Sequence, residues 1–186
     1  MWQKTLKIFQ NIFVYSFAYI WYFAIYLVII PYLVLIVGKN LDILLFDYIL
    51  NLSLGYSNLY LIVSIVLATI GIILILWSFV TLYFYSHSFP LSFFPFPGFN
   101  PKRLSTYGPY SLVRHPMVLG YLILITAIGF YNGSLMTVVW IVPILGFVFY
   151  EYIKNREERR LSLWFGKEYD EYRKKTPILL PKILKK

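Results

Sequence analysis

The chain has 186 residues, of which 60% fall in the hydrophobic class, 21% are aromatic and only 13% are charged; this excludes a disordered chain and makes lipid the expected solvent of a single domain. The formal charge of +9, from 17 Lys and Arg against 8 Asp and Glu, fits nucleic acid, anionic lipid or membrane orientation, and the placement of the charges must choose among them. With no cysteine, disulfides, thiolate nucleophiles and Cys-ligated metals are excluded.

From Asn11 to Gly38 no residue is charged, and a helix of that length spans roughly 42 Å at ~1.5 Å per residue, so residues 11–38 read as a first, tilted transmembrane helix. Pro31 should kink it or mark its upper end. The run is about twice an ordinary signal-peptide core and no small-residue cleavage site follows it, so it reads as a retained anchor. Leu41–Asn51 mixes Leu, Ile and Phe with Asp42 and Asp47; it reads as an interfacial stretch, with part of a fifth short membrane helix as the other option. Residues 57–85, with Gly71 inside and Trp77, Tyr83 and Tyr85 near the end, form the second span. Residues 116–131 and 134–152 are the third and fourth, antiparallel about a tight turn at Asn132-Gly133. Each is near the minimum spanning length of roughly 17 residues, which calls for a locally thinned bilayer or shielding by the longer helices.

Charge supplies the orientation. If four helices cross and the N-terminus is cytoplasmic, 16 of the 17 Lys and Arg fall inside, and only Lys39, beside Asp42 and Asp47, lies outside. Topology therefore accounts for the basic excess, and no nucleic-acid partner is expected. Two regions break the membrane pattern on the cytoplasmic side. Residues 86–115 form an interfacial loop, in which Pro90, Pro95, Pro97, Pro101 and Pro109 alternate with phenylalanines. Residues 153–186 form a helical, partly docked tail, with Glu157, Leu161 and Phe165 four apart and Gly166 able to end the helix. The expected fold is all-α: an integral-membrane bundle of about four transmembrane helices, five at most, with a docked cytoplasmic C-terminal segment. No internal repeat supports a transporter architecture.

Chemistry-bearing residues concentrate between Gly108 and Gly120. Pro116 suits the first turn of a helix, where its missing N–H has no partner to lose. The free amides there, the positive end of the helix dipole and Arg114 make an anion-binding corner, and Gly120, one turn in, admits a close backbone or ligand. Glu157-Glu158 follows the fourth span by about a turn and can accept hydrogen bonds from hydroxyls or an ammonium; alone, it is equally a solvated face paired with Arg160 or Lys154. His87 and His115 are the two histidines. They are too few for a multi-His metal site, and His87 reads as the end of the second helix.

Gly108-Pro109-Tyr110, Arg114-His115-Pro116 and Gly120, then Glu157-Glu158, Leu161, Phe165-Gly166, Tyr169, Tyr172, Thr176-Pro177 and Leu180-Pro181 together resemble the isoprenylcysteine carboxyl methyltransferase family, part of a wider group that includes phospholipid N-methyltransferases. The resemblance covers about residues 105–183. It implies S-adenosylmethionine as cofactor, in a pocket closed by the loop before Arg-His-Pro and by the C-terminal segment, and a lipid or prenylated substrate entering from the bilayer. By position, Pro109, Arg114, His115, Pro116 and Gly120 would border the cofactor, Tyr107 and Tyr110 would form an aromatic wall, and Glu157 and Glu158 would contact its polar parts, with Arg114 and Glu158 catalytic. Val118 stands where a Tyr is often found, and Ile178 where bacterial members often have Arg. Methyl transfer from a sulfonium needs an in-line approach, a dry pocket and no metal. Carboxyl O-methylation of an isoprenylcysteine is the expected activity; a carboxylate is already anionic at neutral pH, and no general base is evident in the sequence. The alternatives are phospholipid N-methylation, an NADPH-dependent sterol-type reductase, and a non-enzymatic scaffold or channel, the last weakened by the lack of mid-span acids.

Overall fold

The computed structural model describes residue 21 and residues 24–49, 58–87 and 102–181. The start of the expected first span, the Phe- and Pro-rich stretch up to Pro101 and the last five residues lie outside the described residues. Among those described, every regular element is helical. Helix α1 (Ile30–Asp42) is flanked by π-helical turns Ile25–Ile29 and Ile43–Ile49. Helix α2 (Asn58–Thr81) is extended by a π turn, Leu82–Ser86. The short α3 (Pro109–Leu112) precedes α4 (Pro116–Tyr131). Helix α5 (Val142–Tyr152) lies between π turns Thr137–Ile141 and Ile153–Glu157, and α6 (Glu158–Phe165) and α7 (Lys167–Lys175) follow.

Pro31 does not end the first helix, which runs on past Lys39 and Asp42, so 41–49 continues α1 and is not a separate interfacial piece. The reason is local. Directly before the proline the Ile30 N–H bonds to Ile25 O, five residues back, and this wider turn makes room where the pyrrolidine ring would meet an α-helical carbonyl. Pro143 is handled identically, with Val142 N–H bonded to Thr137 O. Nor does the last long helix stop at Tyr152: it continues without a break to Phe165.

Asn58–Ser86 and Thr137–Phe165 are long and apolar enough to cross a membrane, and Pro116–Tyr131 is a shorter apolar helix. Their outward faces carry Ile62, Ile65, Ile73, Trp140, Ile144 and Phe147, all exposed, while the buried residues of α2 are Ser64, Gly71, Ser78 and Thr81. Large apolar side chains outside and a seven-residue repeat of small ones inside is the pattern of helices packing within lipid, where close backbone approach replaces hydrophobic exclusion. Thr81 and Ser78 return their hydroxyls to carbonyls four residues back, at 2.8 and 2.6 Å. This satisfies them inside the seam.

Helix α4 is the central element, touching α1, α2 and α5. Its shortness is met by shielding: of its residues only Tyr131, at the end, is exposed. Tyr60 packs on Phe130, and Gly71 on Gly120, so α2 and α4 are antiparallel. The α4–α5 reversal occurs at Asn132-Gly133 as expected, with Gly133 at φ +63°. Ser134 Oγ accepts the Thr137 N–H and Asp42 Oδ1 accepts the Met136 N–H at 2.9 Å, capping the last long helix. A Cβ on Gly120 would sit 2.9 Å from Gly71 O and 2.8 Å from Ile75 Cγ1. Gly120→Ala should therefore force α2 and α4 apart and lower stability by about 1–3 kcal/mol, read as a lower thermal midpoint in detergent.

Candidate functional site

The site forms where three stretches meet at one end of the bundle: the α3–α4 junction, the end of the last long helix, and the tail beyond α7. Gly108, at φ +59° and ψ −130°, turns the chain into α3 and rests where a Cβ would lie 3.1 Å from Trp77 Nε1; that backbone conformation belongs to glycine. Pro109 and Pro116 are buried first-turn residues of α3 and α4. Between the two helices the chain is extended at Val113, which presents Arg114 and His115 as consecutive side chains.

Each finds a glutamate. Arg114 Nη2 is 2.8 Å from Glu158 Oε1, with the side chains 8% and 10% exposed, and His115 Nδ1 is 3.1 Å from Glu157 Oε2, at 9% and 7%. The pairing is crosswise: the earlier residue of one motif takes the later residue of the other. The two glutamates straddle the junction between the π turn Ile153–Glu157 and α6, and π turns of this kind recur at functional sites because they re-aim side chains. The Arg114–Glu158 contact is one of charge: Glu158 Oε1 has no aligned hydrogen bond, and Arg114 Nε, His115 Nε2 and Tyr169 OH are also buried without a protein hydrogen-bond partner among the described residues.

The tail secures the junction. Arg114 N–H donates to Pro177 O at 2.8 Å and His115 N–H to Ile178 O at 3.1 Å. The anion-binding corner expected from free amides is therefore partly spent: these two amides serve the tail, and the Arg114 charge faces Glu158. Leu179 is buried with Phe149 and Ile153. Tyr172 OH donates to Tyr110 O at 2.6 Å.

Of the residues singled out from sequence, Tyr110, Arg114, His115, Glu157 and Glu158 come together, with Pro109 and Pro116 setting the helix starts beside them. Two do not join. Gly120 meets Gly71 of α2 at the crossing of the two helices. Tyr107 is 65% exposed and stacks on Tyr85 at 5.7 Å, apart from the buried cluster that Tyr110 joins. His87 ends α2 in the left-handed conformation, exposed. Tyr169 and Tyr172, not among the expected site residues, belong to the cluster; their i, i+3 spacing, one face of α7, was the available signal.

Burial pushes the Tyr169 phenol up, the Glu158 charge adds to that, and the Arg114 charge opposes it. Burial raises Tyr172 against Arg114, and raises Tyr110 with help from Tyr172 and Glu157. A phenol whose folded value lies above the unfolded 10.0 contributes stability fully below that pH and loses it progressively above. The thermal midpoint should thus hold from neutral pH to about 10 and then fall, and Tyr169→Phe should flatten the fall; an equal decline in the variant would assign the titration elsewhere.

The cluster sums one guanidinium against two carboxylates. Carboxylates thus outnumber guanidinium groups in a place that screens little, so it suits a ligand that carries positive charge and also brings hydrogen-bonding groups for Arg114 Nε, His115 Nε2 and Tyr169 OH, which have no hydrogen-bond partner among the described residues. S-adenosylmethionine, with its sulfonium, ammonium, carboxylate and ribose hydroxyls, fits that requirement. Among the described residues no group of His, Asp and Glu is placed to hold a metal ion.

In comparison with known proteins, residues 59–168 fit the family model described as phospholipid methyltransferase. No curated protein and no solved structure matches the chain. The matched region is more than half of the chain and runs from α2 through α4 and α5 into the start of α7, including both Arg114-His115 and Glu157-Glu158. The chain belongs to the phospholipid methyltransferase family of membrane methyltransferases.

Proposed function

We propose that this protein transfers the methyl group of S-adenosylmethionine to a lipid-borne acceptor. The observation that carries the reading is the buried cluster of Arg114–Glu158 and His115–Glu157, in which two carboxylates meet one guanidinium and Arg114 Nε, His115 Nε2 and Tyr169 OH have no hydrogen-bond partner among the described residues. When bound, S-adenosylmethionine supplies a methyl carbon already activated by the sulfonium charge. The protein's part is to hold, orient and dry. Glu157 and Glu158 attract the cation, Arg114 and Tyr169 supply donors, and the tail from Thr176 to Leu179 excludes water by bonding to the backbone of Arg114 and His115.

The acceptor we favour is the amine headgroup of a phospholipid, in keeping with the family match. Carboxyl O-methylation of an isoprenylcysteine is the second reading, supported by the order of motifs from Gly108 to Pro181. In either case the acceptor arrives from the bilayer, since the exposed faces of α2 and α5 are apolar along their length. We also propose a multi-pass arrangement with four crossings and both termini and the site on the cytoplasmic side. Support comes from the 16 basic residues that would collect there and from alternating helix directions: Tyr26 lies by Tyr121 and Asp42 by Met136, so α1 runs parallel to α4 and antiparallel to α2.

Calorimetry on the purified protein in detergent tests the reading. S-adenosylmethionine should bind and reduced nicotinamide cofactor should not, and His87→Ala should leave the affinity unchanged. Binding of the nicotinamide cofactor alone would move the protein to the reductases.

A further inference from the structure

At Pro31 the first helix gives up more than a regular turn. In an α-helix the Tyr26 carbonyl would accept the N–H of residue 30, four positions on. That N–H is bonded to Ile25 O instead, and the next residue in line, Pro31, has no N–H to give. The wider turn that accommodates the proline therefore leaves Tyr26 O without a backbone donor in either the α or the π register. Inside an apolar bundle such a carbonyl is costly unless another group donates to it. The donor comes from another helix: Tyr121 OH, on α4, bonds to Tyr26 O at 2.8 Å.

The joint lies directly beneath the functional cluster. The Tyr121 ring meets Tyr26 edge-on at 6.1 Å and Phe149 edge-on at 6.0 Å. Phe149, Ile153 and Leu179 form a buried group, and Tyr26, Tyr121 and Ile178 pack against it. Ile178 is the tail residue whose carbonyl accepts the His115 N–H, and the Tyr26 phenol is within electrostatic reach of Glu157. The first helix, which lies outside residues 59–168 of the family match, thus supplies part of the floor on which the tail and the Arg114-His115 junction rest. We propose that Tyr121 is a positioning residue of the site: its hydroxyl replaces the donor that Pro31 lacks, fixes the first helix beneath the tail, and so holds Arg114 and His115 where they enclose the cofactor. The proposal rests on the methyltransferase reading above and deepens it, because it makes the first helix a working part of the site. Tyr121 acts through Tyr26 and the tail, not by contact with the cofactor.

A double-variant cycle on the full-length protein in bilayer discs tests this. Tyr121→Phe keeps the ring against Tyr26 and Phe149 and removes only the donor. The Arg114 and His115 amides should then exchange about tenfold faster, and calorimetry should show S-adenosylmethionine binding about tenfold weaker. Pro31→Ala puts an N–H back at residue 31, in register with Tyr26 O. Tyr121→Phe/Pro31→Ala should therefore stay within about twofold of Pro31→Ala alone in both readings. Gly129→Ala controls for lost stability alone: at the opposite end of α4, its new Cβ would lie 2.8 Å from Val138 Cγ2. It should lower the thermal midpoint and, well below that midpoint, leave amide exchange at Arg114 and His115 and cofactor affinity unchanged. Additive effects of the Tyr121 and Pro31 changes overturn the proposal. So does a Tyr121→Phe protein with a lowered midpoint but wild-type exchange and affinity. Wild-type protein that binds no S-adenosylmethionine would remove the methyltransferase reading instead, and the exchange half of the cycle would still decide whether the hydroxyl holds the junction.

Discussion

Replacing Glu158 by alanine is expected to lower stability by about 3–5 kcal/mol, because it leaves the Arg114 guanidinium buried with no counter-charge. Both side chains are about nine-tenths buried, at 8% and 10% exposure and 2.8 Å apart, so water cannot take over the role of the carboxylate. The thermal midpoint of the protein in detergent reads this loss. Stability and function then separate in the double variant Arg114→Met/Glu158→Leu. Removing both charges together is close to neutral for a buried pair, so the midpoint should return, while affinity for S-adenosylmethionine should not. A double variant that folds and binds like the wild type would reduce the pair to scaffold and remove Arg114 and Glu158 from the cofactor site.

Ending the chain at Thr176 is the second change with a large expected effect. It takes away the carbonyls of Pro177 and Ile178, which accept the amides of Arg114 and His115, and it withdraws Leu179 from Phe149 and Ile153. Burying a leucine is worth about 1.5–3 kcal/mol and each hydrogen bond a net ~0.5–1.5, so a loss on the order of 4 kcal/mol is expected. Hydrogen exchange locates it: the Arg114 and His115 amides should lose protection first, and cofactor binding should go with them. Leu179→Ala, which keeps the two carbonyls, should destabilise by about 2–5 kcal/mol yet retain measurable affinity. Equal loss of binding in both variants would mean that the tail acts through packing alone.

These two results differ in how far the sequence anticipates them. The apolar stretches after Tyr48 and after Pro116, the first-turn prolines at 109 and 116, the reversal at Asn132-Gly133 and the arrest at Gly166 are all readable. Each depends on a local requirement: enough apolar residues to cross hydrocarbon, a proline where no N–H is needed, a glycine where φ is positive. Helix extents were read less well. Charges at Lys39 and Lys154 suggested boundaries at 38 and 152, but a helix can leave the hydrocarbon and continue, and at Pro31 and Pro143 a π turn absorbs the steric conflict that a sequence rule treats as a stop.

Composition and charge order by themselves pointed to a helical chain suited to lipid, and the ordered motifs around Arg114-His115-Pro116 and Glu157-Glu158 carried the resemblance to membrane methyltransferases. Only the tertiary structure decided who pairs with whom. Arg114 and Glu158 stand more than forty positions apart in the chain, and nothing in either motif says that 114 takes 158 while 115 takes 157, that Gly120 packs on Gly71, or that Tyr169 is buried in the cluster while Tyr107 turns outward. Those outcomes follow from where the antiparallel helices α2, α4 and α5 end relative to one another. The physical reason is that local periodicity assigns a residue to a face, whereas a salt bridge needs two faces brought within about 4 Å at the same depth, a condition met only when the whole bundle has packed.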